Sequence, residues 1–537
     1  MGPVIPPGSA AVVEPGSRGR LHPGEQVDGP RRRGPVSRVL SGLAWNTTGQ
    51  IATVVINLGL TPFLLHRLGP SRYGLLAFVS AFTGLVSNLD GGLGPTATRF
   101  IAIRVGAGDR RGQTSLLATL LCLLAVVTGA VALLGALVAP EVVSVLHMSP
   151  DLRPQAVVLL RLFLALGVVT ALQQAMSTVV AAEHRWGVLA GIGIGASTAN
   201  AVLVVVLLSE GMGLDGVFLA AVGSQVVALA GMILAIRRRL VWSAFRLMAR
   251  PDVRELVSYS SRVQVAAVAS SFTREVNLIL VGLLFPVRLV AYYSIGSNFA
   301  TQLTSLPSNA IAPIGVTLSR TFGGSSPEAT VKEFTRLQRI WVRSVAAIPF
   351  IGAASAWFAI DRWLGTADRL AGVVAAILLL GQAATLLSLV MDSAVKAMSH
   401  PELESRYLGA GAALKVVVAL ALACSIGMLG VPIGTAAGAV VSALYFLRLT
   451  RRRLSADLRS FLVEIPTTAL VLSVFVTLLL ELPAFELCPG GVTGLLVCAI
   501  PGAVGLVVYG ILVSGVRSPS QVLAALSSGA RRPSGEP

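Results

Sequence analysis

The chain has 537 residues, 54% hydrophobic and only 12% charged, with a mean hydropathy of +0.79. A soluble globular chain carries about 25% charged residues, so the composition excludes one and points to a polytopic membrane protein. Net charge is +17, from 42 Lys and Arg against 25 Asp and Glu, but the basic residues sit between apolar runs, which excludes nucleic acid as their partner.

Residues 1–36, rich in Pro, Gly and Arg, are expected to form a disordered cytoplasmic tail that ends near Arg31-Arg32-Arg33, a topology anchor. About fourteen helices are predicted from there on, the first at 39–65 and the last at 492–515. With both termini on one side, that side holds 32 of the 42 Lys and Arg, the opposite turns 6 and the helix interiors 4. The positive-inside rule then places both termini in the cytoplasm and the chain in the cell membrane as a multi-pass protein.

In the first predicted helix, Asn46, Gln50, Thr53, Asn57 and Thr61 recur every three or four residues. Ser80, Thr83, Ser87 and Asp90 do the same in the second, at 73–98. Each set lies on one helix stripe, and a polar stripe in a bilayer needs a partner helix or a water-filled cavity. Between the two helices, Gly69-Pro70 signals a turn, and Arg67, Arg72 and Tyr73 suit the headgroup interface. Asp90-Gly91-Gly92-Leu93-Gly94-Pro95 predicts either a hinge or a kink.

Helices three to six are blander. Arg161 in the fourth is the exception and lies near enough to the outer end to snorkel to headgroups. A basic segment after Arg237-Arg238-Arg239, with Trp242, Phe245 and Met248, is expected to lie flat on the cytoplasmic leaflet.

The polar pattern then returns. Helix seven carries Ser260, Gln264, Ser271 and Glu275 on one face, with Arg274 and Asn277 beside it. Helix eight carries Tyr293, Ser297, Thr301 and Thr304, and an adjacent row of Ser294, Asn298, Gln302, Ser305 and Asn309. Landmarks repeat at nearly constant displacement: His184 with His400, Arg237-Arg238-Arg239 with Arg451-Arg452-Arg453, and Tyr73 with Tyr293. The chain therefore reads as a doubled six-helix unit, with a substrate site expected between the halves. A short amphipathic helix is predicted at 327–340, and two accessory helices follow residue 455.

The expected fold class is an all-α polytopic membrane protein, two pseudo-symmetric six-helix bundles plus two C-terminal helices. Its parts are a tail (1–36), an N-terminal bundle (37–240), an amphipathic linker (241–256), a C-terminal bundle (257–454), two accessory helices (455–516) and a cytoplasmic tail (517–537). The four cysteines, Cys122, Cys424, Cys488 and Cys498, show neither CxxC nor metal-ligand spacing and read as small apolar packers.

The run LLHRLGPSRYGLLAFVSAFTGLVSNLDGGLG, with the doubled layout and two extra helices, resembles the polysaccharide-transporter branch of the multidrug/oligosaccharidyl-lipid/polysaccharide exporter superfamily over residues 38–515. The resemblance implies flipping of undecaprenyl-pyrophosphate-linked oligosaccharide, such as O-antigen or capsule units, for polysaccharide biosynthesis. It also implies a V-shaped pair of bundles with helices one, two, seven and eight around a cationic cavity.

On this reading the candidate substrate-binding residues are Asn46, Gln50, Asn57, Thr83, Asp90, Arg262, Arg274, Asn277, Asn298, Gln302 and Lys415. Lys415 has an alternative, snorkelling or pairing with Asp392. No metal or cofactor is expected beyond proton or sodium coupling. The expected partners are a lipid-linked glycan, membrane lipid and a polysaccharide polymerase, and the expected state is a monomer. The alternative is a drug/cation antiporter of the same superfamily, using Asp90 or Glu275. A membrane glycosyltransferase or ligase is disfavoured, because the five histidines form no cluster and the outer loops are short.

Overall fold

The computed structural model describes residues 35–87, 93–183, 185–311, 314–315, 318, 327–364, 369–397, 401–454, 465–487 and 492–514. Glycine and proline, more than charge, divide the apolar sequence into helices. α1 (Pro35–Ser87) has two arms that meet at Gly69, whose φ of 74° falls in the left-handed region that glycine alone enters without strain. Pro70 opens the second arm, where its missing N–H is no loss.

There follow α2 (Leu93–Gly106), α3 (Arg110–Val145), α4 (Arg153–Ala182), α5 (Trp186–Ser209), α6 (Gly213–Ile236), α7 (Arg250–Leu284) and α8 (Val287–Asn309). The remainder comprises α9 (Pro327–Val345), α10 (Ala347–Leu364), α11 (Leu370–Ala397), α12 (Pro401–Ile426), α13 (Gly430–Leu454), α14 (Thr467–Leu487) and α15 (Val492–Ser514). Asp109 caps α3 by accepting from Gly112 N at 2.8 Å.

Ten stretches of described helix are long and apolar enough to cross a membrane. Three of them, 47–87, 331–364 and 409–450, each hold two helices joined at a tight turn. α8 is less apolar than these because polar side chains are spread along it, as expected of a helix that does not face lipid all round. The two arms of α1, with α3–α8 and α10–α15, supply the fourteen membrane-length helices among the described residues.

The structure departs from expectation at several element ends. The amphipathic helix α9 reaches Val345 and displaces the start of α10 to Ala347. It docks on the C-terminal half, where Trp341 Nε1 donates to Leu386 O at 2.8 Å and Gln338 Nε2 to Leu387 O at 3.0 Å. The linker after α6 runs as a 3-10 turn and bends, and α7 begins at Arg250 rather than at 257. Of the described cysteines only Cys498 is a buried packer; Cys122 and Cys424 are exposed.

Two helix-interior prolines are matched by donors from other helices. Pro62 has no N–H for Leu58 O, and Trp363 Nε1 of α10 donates to that carbonyl at 2.8 Å. Pro140 likewise frees Ala136 O, to which Arg161 Nε donates at 3.0 Å. Arg161 thus serves the backbone of α3, which sequence reasoning had assigned only to headgroup contact.

The core is distributed unequally along the membrane normal. At the end carrying the Gly69, Leu146 and Pro286 turns, here the turn end, one apolar cluster joins both halves: Leu68, Tyr73, Phe78 and Leu160 with Val287, Tyr293, Ile360 and Trp363. At the opposite end each half has its own cluster, around Ile101, Leu116, Leu120 and Met232 in one and Phe334, Trp341, Met391 and Phe446 in the other. α14 and α15 pack on α10, with Glu481 buried against Ser355.

Candidate functional site: a polar tract between the halves

The stripes of α1 open onto three adjoining cavities. Ser80, Thr83 and Ser87 of the second arm face Gly167, Thr170 and Gln174 of α4 across a space of about 530 Å³. Ser80 and Phe163 are shared with a second cavity of about 360 Å³, where Asn57 and Thr61 meet Asn200 of α5 and Asn298 and Gln302 of α8. Val54 and Gln302 are shared in turn with a third of about 410 Å³, bounded by Gln50, Thr53, Trp186 and Ser305. Polar groups thus line a continuous tract, with Phe163, Trp186, Tyr73 and Trp363 supplying aromatic walls.

Local chemistry explains how these polar groups are tolerated in helices. Thr53 Oγ1 donates to Gly49 O at 3.0 Å and Thr61 Oγ1 to Asn57 O at 2.8 Å, so the threonines satisfy themselves on the preceding turn. Amides take partners on other helices: Asn309 Nδ2 donates to Gln50 Oε1 at 2.5 Å between α8 and α1, and Gln225 Nε2 of α6 donates to Gln173 Oε1 of α4. Thr83 Oγ1 is buried with no protein partner among the described residues.

The turn end of the tract is shut by close approach. A Cβ on Gly74 would sit 2.0 Å from Val287 O, so the second arm of α1 meets the start of α8 at backbone distance. Val287 N donates to His147 O at 3.1 Å, tying the same corner to the end of α3. Tyr73, expected at the headgroups, is instead 8% exposed within the shared core and hydrogen-bonded to Thr61. Its ring closes the second cavity because Gly69 folds the second arm back against the first.

Of the predicted site residues, Gln50, Asn57, Asn298 and Gln302 come together in the two cavities that touch both halves, and Thr83 lines the adjoining one. Asn277 is buried inside the C-terminal half, hydrogen-bonded to Tyr293. The stem of Lys415 packs on Gly438 of α13, away from the three cavities. Asn46, Arg262 and Arg274 fall on described helical backbone, but their side chains lie outside the described residues, as does all of Asp90. The described walls of the tract carry no charge, so the cationic character implied by the resemblance is not found on them.

Sequence reasoning missed the walls from α4 and α5. Thr170 and Gln174 are four apart and Ser197 and Asn200 three apart, the same periodic signal that marked α1, diluted here by long apolar flanks. Glu275 lies between the halves, its carboxylate 3.7 Å from where a Cβ on Gly84 would stand.

Two helix bundles joined at one end around a polar tract are the arrangement in which related sequences can be sought. Residues 39–320 match the model of a family described as polysaccharide biosynthesis protein. The chain belongs to that family. No curated protein matches the sequence significantly. Among solved structures, lipid II flippase MurJ in an inward closed conformation shares the fold, with a TM-score of 0.66 at 12% identity over 88% of this chain and 98% of that one. An inward-facing multidrug resistance MATE family transporter of the MOP superfamily follows at 0.58 and 16% identity, over 75% of this chain and 95% of that one. The Vibrio cholerae MATE transporter VcmN, in a point-mutant form, gives 0.59 at 15% identity, over 79% and 98%. The family member described here therefore has the fold of this transporter superfamily.

Proposed function

We propose that the protein flips a lipid-linked oligosaccharide, an undecaprenyl-pyrophosphate-linked unit of O-antigen or capsule type, across the cytoplasmic membrane by alternating access. The observation that carries this reading is the make-up of the tract: amides and hydroxyls interleaved with aromatic rings, and no charge on its described walls. Sugar hydroxyls exchange hydrogen bonds with Asn57, Asn200, Asn298 and Gln302, while the pyranose faces lie on Phe163 and Trp363.

The lipid-linked head enters from the end that carries both termini, taken as cytoplasmic on charge bias. Its tail stays in the bilayer through a lateral gap. Arg274, about 15 Å short of the turn end of α7 at 1.5 Å per residue, is the residue assigned to the pyrophosphate, because a guanidinium holds two phosphate oxygens at once. Rocking of the halves then exposes the head on the other face. No covalent chemistry is required, and the protein acts as a transporter rather than an enzyme. A monomer suffices, and a polysaccharide polymerase is the protein partner expected to take the product.

A second reading, drug/cation antiport, draws on Glu275 between the halves. One experiment separates the two. In liposomes, the purified protein is expected to translocate a fluorescent undecaprenyl-pyrophosphate oligosaccharide, and Arg274→Ala at equal abundance is expected to lose this, with Arg274→Lys partly active. Sodium- or proton-driven efflux of an organic cation, without glycan movement, would favour the second reading.

A further inference from the structure

The joint between the halves forms a separate pocket on the flank of the molecule. Residues 240–249 are held on the first turns of α3 by hydrogen bonds to its hydroxyl side chains. Val241 N donates to Thr114 Oγ1 at 3.1 Å, Ser115 Oγ donates to Arg246 O at 2.8 Å, and Met248 N donates to Thr119 Oγ1 at 2.9 Å. The clamp sets Leu247 and Met248 over a groove between α3 and the start of α7, where a cavity of about 560 Å³ opens. Its wall is apolar, through Cys122, Leu123, Leu247 and Val257, apart from Thr119, Ser258 and two arginines, Arg250 and Arg254.

Two features give this pocket a polarity. At 100° per residue, Arg250, Val253, Arg254 and Val257 share one side of α7, whereas Asp252 and Glu255 turn to the other. Neither arginine has an acidic partner within salt-bridge distance among the described residues. Cys122, by contrast, lies about 18 Å along α3 from Arg110 at 1.5 Å per residue, well inside the hydrocarbon depth. Cations stand at the surface end and apolar side chains at the deep end. Leu247 is 62% and Val257 45% exposed, so the pocket is open to the bilayer.

We propose that this pocket binds one anionic phospholipid, its phosphodiester between Arg250 and Arg254 and an acyl chain along Cys122, Leu123 and Val257. A free phosphate has no use for the apolar wall, and a zwitterionic lipid brings its own cation to two arginines. Because α3 belongs to one half and α7 begins the other, the bound lipid bridges the halves at their covalent joint. Leaflet composition thereby acts on how readily they rock.

Cys122 itself supplies the probe. In the chain carrying Cys424→Ser, Cys488→Ser and Cys498→Ala, bimane on Cys122 is read in nanodiscs of phosphatidylcholine doped with brominated-chain phosphatidylglycerol or brominated-chain phosphatidylcholine. The brominated phosphatidylglycerol is expected to reach half-maximal quenching at a mole fraction roughly thirtyfold lower, from two surface arginines at about 1 kcal/mol each. Arg250→Gln with Arg254→Gln should abolish that preference, and Arg250→Lys with Arg254→Lys should keep most of it, at unchanged bimane labelling. Equal quenching by both lipids, or a lysine pair as unselective as the glutamine pair, would overturn the proposal. So would displacement of the brominated lipid by undecaprenyl phosphate more readily than by unlabelled phosphatidylglycerol, which would mark a substrate-tail site, or by inorganic phosphate at matched ionic strength.

Discussion

The two ends of the interface between the halves are closed by different chemistry. At the turn end, Tyr73, Phe78, Val287, Tyr293 and Trp363 form one apolar core across the halves, and Gly74 lets backbones touch. At the other end each half has its own apolar cluster, the first reaching Leu256 at the start of α7, and an exposed amide pair, Gln50 with Asn309, spans the halves. Wetting the first costs roughly 25 cal/mol for each Å² of apolar surface. Giving the second to water exchanges one hydrogen bond for others, a net change of about 1 kcal/mol. The difference teaches which end yields first: the amide clasp opens while the apolar seal holds.

That asymmetry can be broken from either side. The largest effect is expected from Gly74→Leu, since even a Cβ would stand 2.0 Å from Val287 O and 3.2 Å from Ala291 N. The helices must separate, and a water-soluble thiol reagent applied at the turn end should then reach a cysteine placed at Asn298, with export lost. Trp363→Ala comes next, costing about 3–5 kcal/mol by chemical denaturation for an aromatic removed from a packed site. Trp363→Phe keeps most of the packing and removes only the donor to Leu58 O, a loss of about 1 kcal/mol. Pro62→Ala restores an N–H for that carbonyl, so the Trp363→Phe penalty should shrink in the Pro62→Ala background. An undiminished penalty in that double-mutant cycle would detach the tryptophan from the proline. The smallest change belongs to Gln50→Ala, under about 1 kcal/mol in stability, yet it should raise reagent access to a cysteine placed at Ser305 from the terminal end.

Much of this was legible in the sequence because lipid enforces periodicity. A polar residue that recurs every three or four positions must face something other than acyl chains, and the α1 and α8 stripes do line the tract. The turn at Gly69-Pro70 was legible because glycine and proline mark where a helix breaks. What escaped was information held between elements. Tyr73 beside Arg72 reads as an interfacial phenol, and only the fold-back at Gly69 buries it against Thr61. Arg161 reads as a snorkelling cation until Pro140 on another helix is seen to leave Ala136 O without a donor. Thr170, Gln174 and Asn200 are too sparse among apolar neighbours to stand out, and their role depends on which side α4 and α5 turn to α1.

The claim that the halves part at the amide clasp before the apolar seal is tested most directly by distance distributions between spin labels in nanodiscs. One pair reports the turn end, at Glu141 of α3 and Ile426 of α12; the other reports the terminal end, at Arg110 of α3 and Thr335 of α9, each with the native cysteines replaced. In the Gln50→Ala and Asn309→Ala background, the Arg110–Thr335 distribution should broaden toward longer distances while the Glu141–Ile426 distribution stays single and narrow. Broadening at Glu141–Ile426 with an unchanged Arg110–Thr335 distance would contradict the account.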